Sequence, residues 1–213
     1  MERLHIIADV SHLSDKGFWD IAEHSTRPFA ASHSNCRALA PHCRNLTDEM
    51  IRVMAEKGGL VGLNYCAGFL DDQPSPDLCR STTALMAKHA AHFKQVGGIE
   101  IIGLGSDFDG IGGKLELSDC SKMPLLADAL RKEGFTEDEV EAIFFRNAQR
   151  FFENNLNVSE TSRKLFVHRN TLVYRLEKIK KLTGLDLREF EDAIVFKVAL
   201  MVKKYLNASP TKY

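Results

Sequence analysis

Short apolar runs and longer amphipathic stretches alternate along the first part of the chain. The apolar runs lie near residues 5–10, 28–32, 60–64 and 100–105. Their Val and Ile residues show no polar alternation, which favours parallel strands that are buried on both faces. The amphipathic stretches have helical spacing and lie near residues 15–24, 47–57, 80–96 and 136–153. The pattern predicts four successive βα units.

Residues at the ends of the amphipathic stretches support these boundaries. Thr47 and Thr136 are each followed by acidic residues, which is typical of a helix start. Glycine pairs at Gly58 and Gly98 end helices before the next strand. A TIM barrel contains eight βα units and about 250 residues. Four units therefore predict an α/β fold that is half of such a barrel.

Beyond about residue 156 the pattern changes to closely spaced helices without a strand signal. These helices are predicted over residues 159–165, 169–182 and 188–206. Ser159 can cap the first of them, and Gly184 ends the second. We therefore expect two domains, residues 1–155 and residues 156–213, of which the second is entirely α-helical.

The composition narrows the class of protein. The chain of 213 residues is 44% hydrophobic and 27% charged, as in ordinary globular proteins. No apolar stretch approaches the roughly 20 residues of a membrane span, and the N-terminus has no secretion-signal pattern. We therefore expect a cytoplasmic protein without a membrane partner. The five cysteines are an odd number without a CxxC pair, which argues against a disulfide framework and against a thiolate zinc site.

The net charge of −1 hides an asymmetry between the two predicted domains. Residues 157–213 hold 12 Lys and Arg against 6 Asp and Glu, whereas the remainder holds 16 against 23. An acidic front and a basic tail indicate two separate functions. Any polyanionic partner is expected to bind the tail.

Histidines follow two of the predicted strands. His12 ends the run that begins at Ile6, and His33 ends the run that begins at Pro28. The carboxyl ends of strands in a βα-barrel gather at one rim, so these side chains can form half of a metal site. In the alternative interpretation, each histidine is a polar residue at a strand end that binds no metal.

Three segments of the front part carry a family resemblance. ADVSHLSDKGFWDIA, RPFAASHSNCRALAPHCRNLTDEMI and IIGLGSDFDG resemble the second half of the membrane (renal) dipeptidase family, zinc peptidases built on a TIM barrel. The resemblance covers about residues 1–155. It includes the interval between His12 and His33, an arginine at position 44 and the GSDFDG strand end. It implies the last four βα units of a metallo-dependent hydrolase-like barrel.

The resemblance also implies roles for individual residues. His12 and His33 would bind one metal of a binuclear zinc pair. Arg44 would hold the carboxylate of a dipeptide substrate, and its fork of donors suits that group. Asp107 would assist proton transfer or orient the substrate amine, with Asp109 as the less favoured candidate. Two metals lower the pKa of a shared water to about neutral, which produces the attacking hydroxide.

The remaining ligands of that family come from elsewhere in its barrel. Its HxD ligand pair, the glutamate that bridges both metals and a further substrate-binding histidine belong to its first four βα units. Residues 1–11 contain no such pair. We therefore expect a truncated barrel with at most a partial zinc site and no hydrolysis by this chain alone. Two copies could close a barrel as a homodimer, but its rim would still lack the bridging carboxylate.

A second resemblance covers about residues 155–207. The string VHRNTLVYRLEKI and its flanks resemble the C-terminal helix-turn-helix domain of PucR-type bacterial transcription factors. This implies that residues 169–182 are a recognition helix in the major groove of double-stranded DNA. Arginine suits guanine and asparagine suits adenine. The expected base contacts are Arg169, Asn170 and Thr171, and the expected phosphate contacts are Tyr174, Arg175, Lys178 and Lys181.

Several interpretations of the whole chain remain open at this point. The favoured hypothesis is a dipeptidase-like front part, inactive alone, with a DNA-binding tail. The front part could also become an active enzyme when a partner completes it. Alternatively, the chain is a transcriptional regulator of PucR type with a non-catalytic front part, or a chimeric reading frame with no function of its own. The tail alone could also be a basic helical bundle whose lysines are only solvated.

Overall fold

The computed structural model describes Glu2, residues 6–155 and residues 168–207. Two compact units are present, residues 1–151 and residues 152–213. Each unit is described by itself below. None of the described helices combines the length and the hydropathy needed to cross a membrane.

The first unit contains a parallel sheet of three short strands. They are β1 (Ala30–Ala31), β2 (Leu60–Leu63) and β3 (Ile102–Leu104), in the order β1-β2-β3. Ala30 lies opposite Leu60, and Val61 lies opposite Ile102. The first predicted strand, near residues 5–10, is reduced to one parallel bridge between Asp9 and Ala30. The four predicted strands therefore lie side by side, three of them as ladders.

The first unit contains seven described helices, most of them at the predicted places. They are α1 (Asp15–His24), α2 (Asp48–Glu56), α3 (Ala67–Leu70), α4 (Thr83–Gly97), α5 (Met123–Glu133), α6 (Glu137–Glu141) and α7 (Asn147–Asn155). A π-helical turn, Ala142–Arg146, joins α6 to α7, so the predicted helix near residues 136–153 continues to residue 155. Short 3₁₀ turns are present at Pro76–Leu78, Ile99–Ile101 and Cys120–Lys122.

The polar residues at the helix ends act as the sequence predicts. The Thr47 side chain accepts a hydrogen bond from the backbone of Met50, and Thr136 forms a reciprocal capping box with Glu139. Gly98 follows α4 with φ of 88°, a conformation that favours glycine. Helices α3 and α5 were not predicted. Helix α5 begins with a proline in its first turn and buries Leu126 and Leu130, so its sequence did carry a signal.

The middle strand forms the centre of the core. Val61 and Leu63 are fully buried on it, which confirms the expectation from its unbroken apolar run. Helix α4 packs against α2 and α5 on the outside of the sheet. The largest buried side chains are Tyr65, Phe18, Phe29, Phe93, Ile51, Met54, Leu63, Leu70, Met86, Ile102, Leu117 and Leu126. All five cysteines are free.

The second unit contains two described helices, α8 (Arg169–Thr183) and α9 (Phe190–Asn207). Both lie within two residues of their predicted bounds. Helix α8 ends at Gly184, which has φ of 78°. Arg188 follows the turn and forms ion pairs with Glu177 and Asp186. The predicted helix over residues 159–165 lies outside the described residues.

A buried histidine connects three segments of the first unit. His89 on α4 is 1% exposed, and its Nδ1 accepts a hydrogen bond of 3.1 Å from the backbone N–H of Cys36. Its Nε2, 3.0 Å from the carbonyl oxygen of Leu70, therefore carries the proton and donates it. Burial lowers the pKa of His89 to about 4. The neutral imidazole is part of the folded structure.

This arrangement predicts a loss of stability in mild acid. The unfolded chain takes up a proton at His89 below about pH 6.5, whereas the folded chain does so only near pH 4. The stability that the low pKa of His89 contributes is complete above pH 6.5 and is lost as the pH falls toward 4. We expect the free energy of unfolding to fall by roughly 2 kcal/mol between pH 7.5 and pH 5.

The measurement is urea unfolding followed by the fluorescence of Trp19, the single tryptophan, which lies in the first unit. A His89→Gln variant is the control because it cannot titrate in this range. Its stability should change less with pH than that of the unmodified chain, by the same roughly 2 kcal/mol. Equal pH dependence in the two proteins would contradict the prediction.

Candidate active site

The two histidines predicted to share a site lie together. His12 follows the segment bridged at Asp9, and His33 follows β1. Their Nε2 atoms face each other at 3.0 Å, with ring centroids 5.0 Å apart. Parallel pairing produces this contact because it brings the carboxyl ends of neighbouring strands to one edge. The structure therefore places the predicted histidine pair at that edge.

The spacing of the two nitrogen atoms suits a shared metal ion. Two imidazole ligands on a tetrahedral zinc stand about 3.3 Å apart, given zinc–nitrogen distances of about 2.05 Å. The separation of 3.0 Å is within a few tenths of an ångström of that value. Burial lowers the pKa of His33, and the charges of Arg44 and His12 lower it further, while Asp107 and Asp9 oppose the change. The neutral imidazole, which is the form that binds metals, is therefore favoured.

A hydrogen-bonded relay orients His33 from behind. The Ser32 hydroxyl donates to Asp9 Oδ2 at 2.5 Å and lies 2.7 Å from His33 Nδ1. A hydroxyl has one proton, so the Nδ1 atom must donate to Ser32. The Nε2 atom then presents its lone pair toward His12. A hydrogen bond at the second ring nitrogen fixes the tautomer of metal-binding histidines in this way.

Asp107 follows β3, the third strand of the sheet, and lies close to the histidine pair. Its Oδ2 is 4.0 Å from His33 Nε2 and accepts a hydrogen bond of 3.3 Å from the side chain of Asn64. Its backbone has φ of 59°, an uncommon value for a residue with a side chain. A Cβ at Gly110 would stand 2.2 Å from the Asp107 carboxylate, so only glycine fits beside it. Asp109 is exposed.

Arg44 reaches the same edge from a loop between β1 and α2. Its Nε donates to the carbonyl oxygen of Ser11 at 2.6 Å, and its guanidinium carbon lies 5.4 Å from the centre of the Phe69 ring. Its Nη2 is buried and has no hydrogen-bond partner among the described residues. A buried donor without a partner costs about 1–3 kcal/mol. An anion beside Nη2 would remove that cost.

Three buried asparagines connect these loops, and the sequence did not single them out. Asn45 accepts a hydrogen bond from the backbone of Asn35 at 3.2 Å, and Asn35 exchanges two hydrogen bonds with the backbone of Asn64. Asn64 then contacts Asp107. Each side-chain amide hydrogen-bonds to backbone groups that have no partner in a regular strand or helix. The sequence signal was weak, since isolated asparagines are also common in exposed turns.

The described residues do not form a complete metal centre. Across residues 6–155 and 168–207 no group of three or more His, Cys, Asp or Glu side chains is placed to hold a metal ion. Asp9 is near the histidines, but its carboxylate is engaged by Ser32 and by the backbone of Ser11. The site therefore offers two nitrogen ligands with a polar surround.

The residues predicted to contact DNA all lie in α8. His168 caps the helix by accepting a hydrogen bond from the backbone of Asn170. Asn170, Thr171, Tyr174 and Arg175 are all exposed. Arg169 is the first residue of the helix. The first two turns of α8 therefore present polar and basic side chains to solvent, and Tyr174 is 69% exposed.

Comparison with known proteins identifies two families. The sequence model of the membrane dipeptidase family, peptidase family M19, matches residues 1–165. The model of the PucR C-terminal helix-turn-helix domain matches residues 146–202. The two matches overlap at residues 146–165, which include helix α7.

Individual relatives agree with the first match. An uncharacterized protein in the pqqA 5′ region of Klebsiella pneumoniae is 38% identical over 146 residues, which are 68% of this chain and 54% of that protein. Dipeptidase TcpJ of Claviceps purpurea is 30% identical over 166 residues, 78% of this chain and 38% of its own length. A crystal structure of a metallopeptidase from Rhodobacter sphaeroides, liganded with a phosphinate mimic of the dipeptide L-Ala-D-Ala, is 34% identical with a TM-score of 0.66. It covers 72% of this chain and 43% of that one. The chain spans about half the length of these relatives, or less.

The relay behind His33 predicts the effect of removing one hydroxyl. In the Ser32→Ala variant the Nδ1 proton loses its acceptor, so we expect the Nε2–H tautomer to become the majority form. Long-range proton–nitrogen correlation spectra of the metal-free protein report the tautomer directly. Ser118→Ala is the matched control, because that hydroxyl contacts only Asp119 in an exposed loop. An unchanged His33 tautomer in Ser32→Ala would contradict the relay.

Proposed function

Because the chain belongs to the membrane dipeptidase family, peptidase family M19, we propose that residues 1–155 carry part of a zinc-dependent site for dipeptide hydrolysis. The observation that supports this most is the pair of facing Nε2 atoms of His12 and His33, 3.0 Å apart, at the edge where Asp107 also lies. Unrelated surface histidines would not be expected to face each other at this distance, with the tautomer of one of them set by a serine and a carboxylate nearby.

His12 and His33 are the proposed zinc ligands. Both present Nε2 at a spacing that fits one ion, and the relay through Ser32 and Asp9 holds His33 in the tautomer that can bind. Zinc, when bound, would lower the pKa of a coordinated water to about 7. The residues of this chain would hold the zinc and orient the groups around it, and the activation of the water would come from the zinc.

Arg44 and Asp107 are the proposed substrate groups. The buried Nη2 of Arg44 has no partner among the described residues, so a dipeptide carboxylate is a fitting ligand for it. The ring of Phe69 beneath the guanidinium restricts its orientation. Asp107, 4.0 Å from His33, is placed to orient the substrate amine or to hold a proton during the reaction. Selection of a free carboxylate would limit substrates to short peptides.

Two ligands do not make a catalytic zinc centre, which has three protein ligands and an open position. We therefore propose that this chain by itself binds zinc weakly and does not hydrolyse a dipeptide. A polypeptide that supplies the HxD pair and the bridging glutamate of the family would complete the site. We therefore propose dipeptidase activity only for the assembly of this chain with such a polypeptide.

The second proposed function is binding of double-stranded DNA by the tail. The match to the PucR helix-turn-helix domain and the exposed start of α8 support it. Asn170 and Thr171 would face base edges, with Arg169 beside them. Arg175 and Tyr174 would contact or flank phosphates, one turn further along the helix. A single module makes few phosphate contacts, so its binding should be weak and dependent on salt.

The zinc site predicts the outcome of one substitution. His33→Ala removes one of the two ligands, so we expect zinc affinity to fall by about tenfold or more, measured by competition with a chromogenic chelator. His24→Ala is the matched control, because that exposed histidine contacts only the backbone of Asp20. Equal zinc affinity in His33→Ala and the unmodified chain would contradict the ligand assignment.

The same proteins test catalysis with zinc and alanyl-alanine. We expect no hydrolysis by the unmodified chain and none by His33→Ala. Zinc-dependent hydrolysis that is present in the unmodified chain and lost in His33→Ala would show that the described residues suffice. That result would overturn the proposal that the site is incomplete.

The DNA-binding proposal predicts a loss of electrostatic contact. Arg175→Ala should weaken binding to a mixed-sequence duplex at low salt by roughly threefold to tenfold and reduce the salt slope by about 1. Fluorescence anisotropy at several salt concentrations measures both quantities. Lys132→Ala on α5 is the control, since it removes an exposed positive charge from the first unit. Equal effects of the two substitutions would indicate that only net charge matters.

A further inference from the structure

A histidine with no role in the site described so far lies beside Arg44. His42 belongs to the same loop between β1 and α2, and its ring centre is 4.6 Å from that of Phe69. The guanidinium carbon of Arg44 is 5.4 Å from the same ring centre. Phe69 belongs to helix α3, so one aromatic side chain from a separate element contacts both residues.

His42 also holds the backbone of Arg44. Its Nδ1 accepts a hydrogen bond of 3.1 Å from the backbone N–H of Arg44, so the proton of the neutral ring is on Nε2. The carbonyl oxygen of His42 accepts a second bond of 3.0 Å from the backbone N–H of Asn45. Asn and Asp fix tight turns in the same way, by accepting from the N–H two residues further on. His42 therefore sets the backbone from which the Arg44 side chain extends.

The surroundings of His42 favour the form of the ring that this bond requires. Burial lowers the pKa of His42, and the positive charges of Arg44 and Arg37 lower it further. A protonated ring would carry a hydrogen on Nδ1 and would direct it at the N–H of Arg44. The neutral ring, which is an acceptor at Nδ1, is therefore the form that fits the loop.

The Arg44 side chain is fixed at Nε, while its Nη2 is left for a ligand. The Nε atom donates to the carbonyl oxygen of Ser11 at 2.6 Å, and the buried Nη2 has no partner among the described residues. Immobilising a long side chain costs rotamer entropy, so contacts that hold it before a ligand arrives strengthen binding. A shift of the backbone at Arg44 would redirect the whole guanidinium. The hydrogen bond to His42 opposes that shift.

We propose that His42 is the positioning residue of Arg44. By accepting a hydrogen bond from the backbone of Arg44, His42 directs Nη2 toward the place of the substrate carboxylate. The inference rests on the proposed function, in which Arg44 binds the carboxylate of a dipeptide. It adds that selectivity for a free carboxylate depends on a second residue, which acts through Arg44.

The position of Arg44 can be measured without a ligand, from hydrogen exchange at its Nε in the metal-free chain. His42→Phe keeps an aromatic ring but has no acceptor, whereas His42→Asn keeps an acceptor for the same N–H. We expect exchange at Arg44 Nε to quicken by about fivefold in His42→Phe and to stay within about twofold in His42→Asn. Arg37 Nε is the internal control, because it donates to the carbonyl oxygen of Asn45 at 2.8 Å in the same loop.

Faster exchange at both arginines in His42→Phe would overturn the proposal, since His42 would then only stabilise the loop. Unchanged exchange at Arg44 in His42→Phe would overturn it as well. If His42→Asn behaves like His42→Phe, the acceptor is not what holds Arg44, and the proposal is wrong in that case too.

Binding of alanyl-alanine and of its C-terminal amide separates this inference from the proposed function. NMR titration of the metal-free chain should show about tenfold tighter binding of the free carboxylate, and Arg44→Ala should abolish this preference. We expect His42→Phe to reduce the preference by about threefold to fivefold and His42→Asn to retain it. No preference in the unmodified chain would overturn the role of Arg44 and this inference with it. A preference that is lost in Arg44→Ala but unchanged in His42→Phe would overturn this inference alone.

Discussion

The candidate active site depends on one close approach, in which the backbone after β1 lies directly against β2 and against the end of β3. A Cβ at Gly62 or at Gly105 would stand 2.0 Å from the carbonyl oxygen of Ser32. Glycine at both positions lets the chain after β1 lie against β2 and the end of β3. The backbone of Ser34 donates to Gly62 at 2.8 Å in the same place. His33 is thereby placed beside residues of two other strand ends, His12 after the first and Asp107 after β3.

Within this edge, polar side chains hydrogen-bond to one another. Asp9, Ser32 and His33 form one chain of hydrogen bonds, and Asp107 is held by Asn64. Burial and the positive charge of Arg44 favour neutral His33, while Asp107 and Asp9 act in the opposite direction. The balance leaves a lone pair available at Nε2. Arg44 differs from its neighbours at this edge, because one of its buried donors has no described partner.

The two family matches meet at a helix with a clear structural role. Asn147 begins α7, and its side chain donates to the carbonyl oxygens of Ile99 and Ile102 at 2.7 and 2.8 Å. These bonds connect the helix to the start of β3, in the first unit. The overlap of the matches at residues 146–165 therefore includes a residue that the first unit itself uses. The alternative hypothesis of a chimeric reading frame stays a prediction.

The sequence by itself determined the order of the strands and of most helices, though not α3 and α5, because apolar runs, threonine caps and glycine stops act locally. It also indicated His12 and His33, since strand ends are visible without coordinates, and the family resemblance of its motifs added Arg44 and Asp107. Tertiary structure alone decided that the two Nε2 atoms face each other, that Ser32 and Asp9 set a tautomer and that Arg44 keeps an unpaired donor. These properties depend on contacts between residues more than 20 positions apart. The period of a hydrophobic pattern is a local property and does not say which distant residues meet. The packing of the strand ends against glycine decides that.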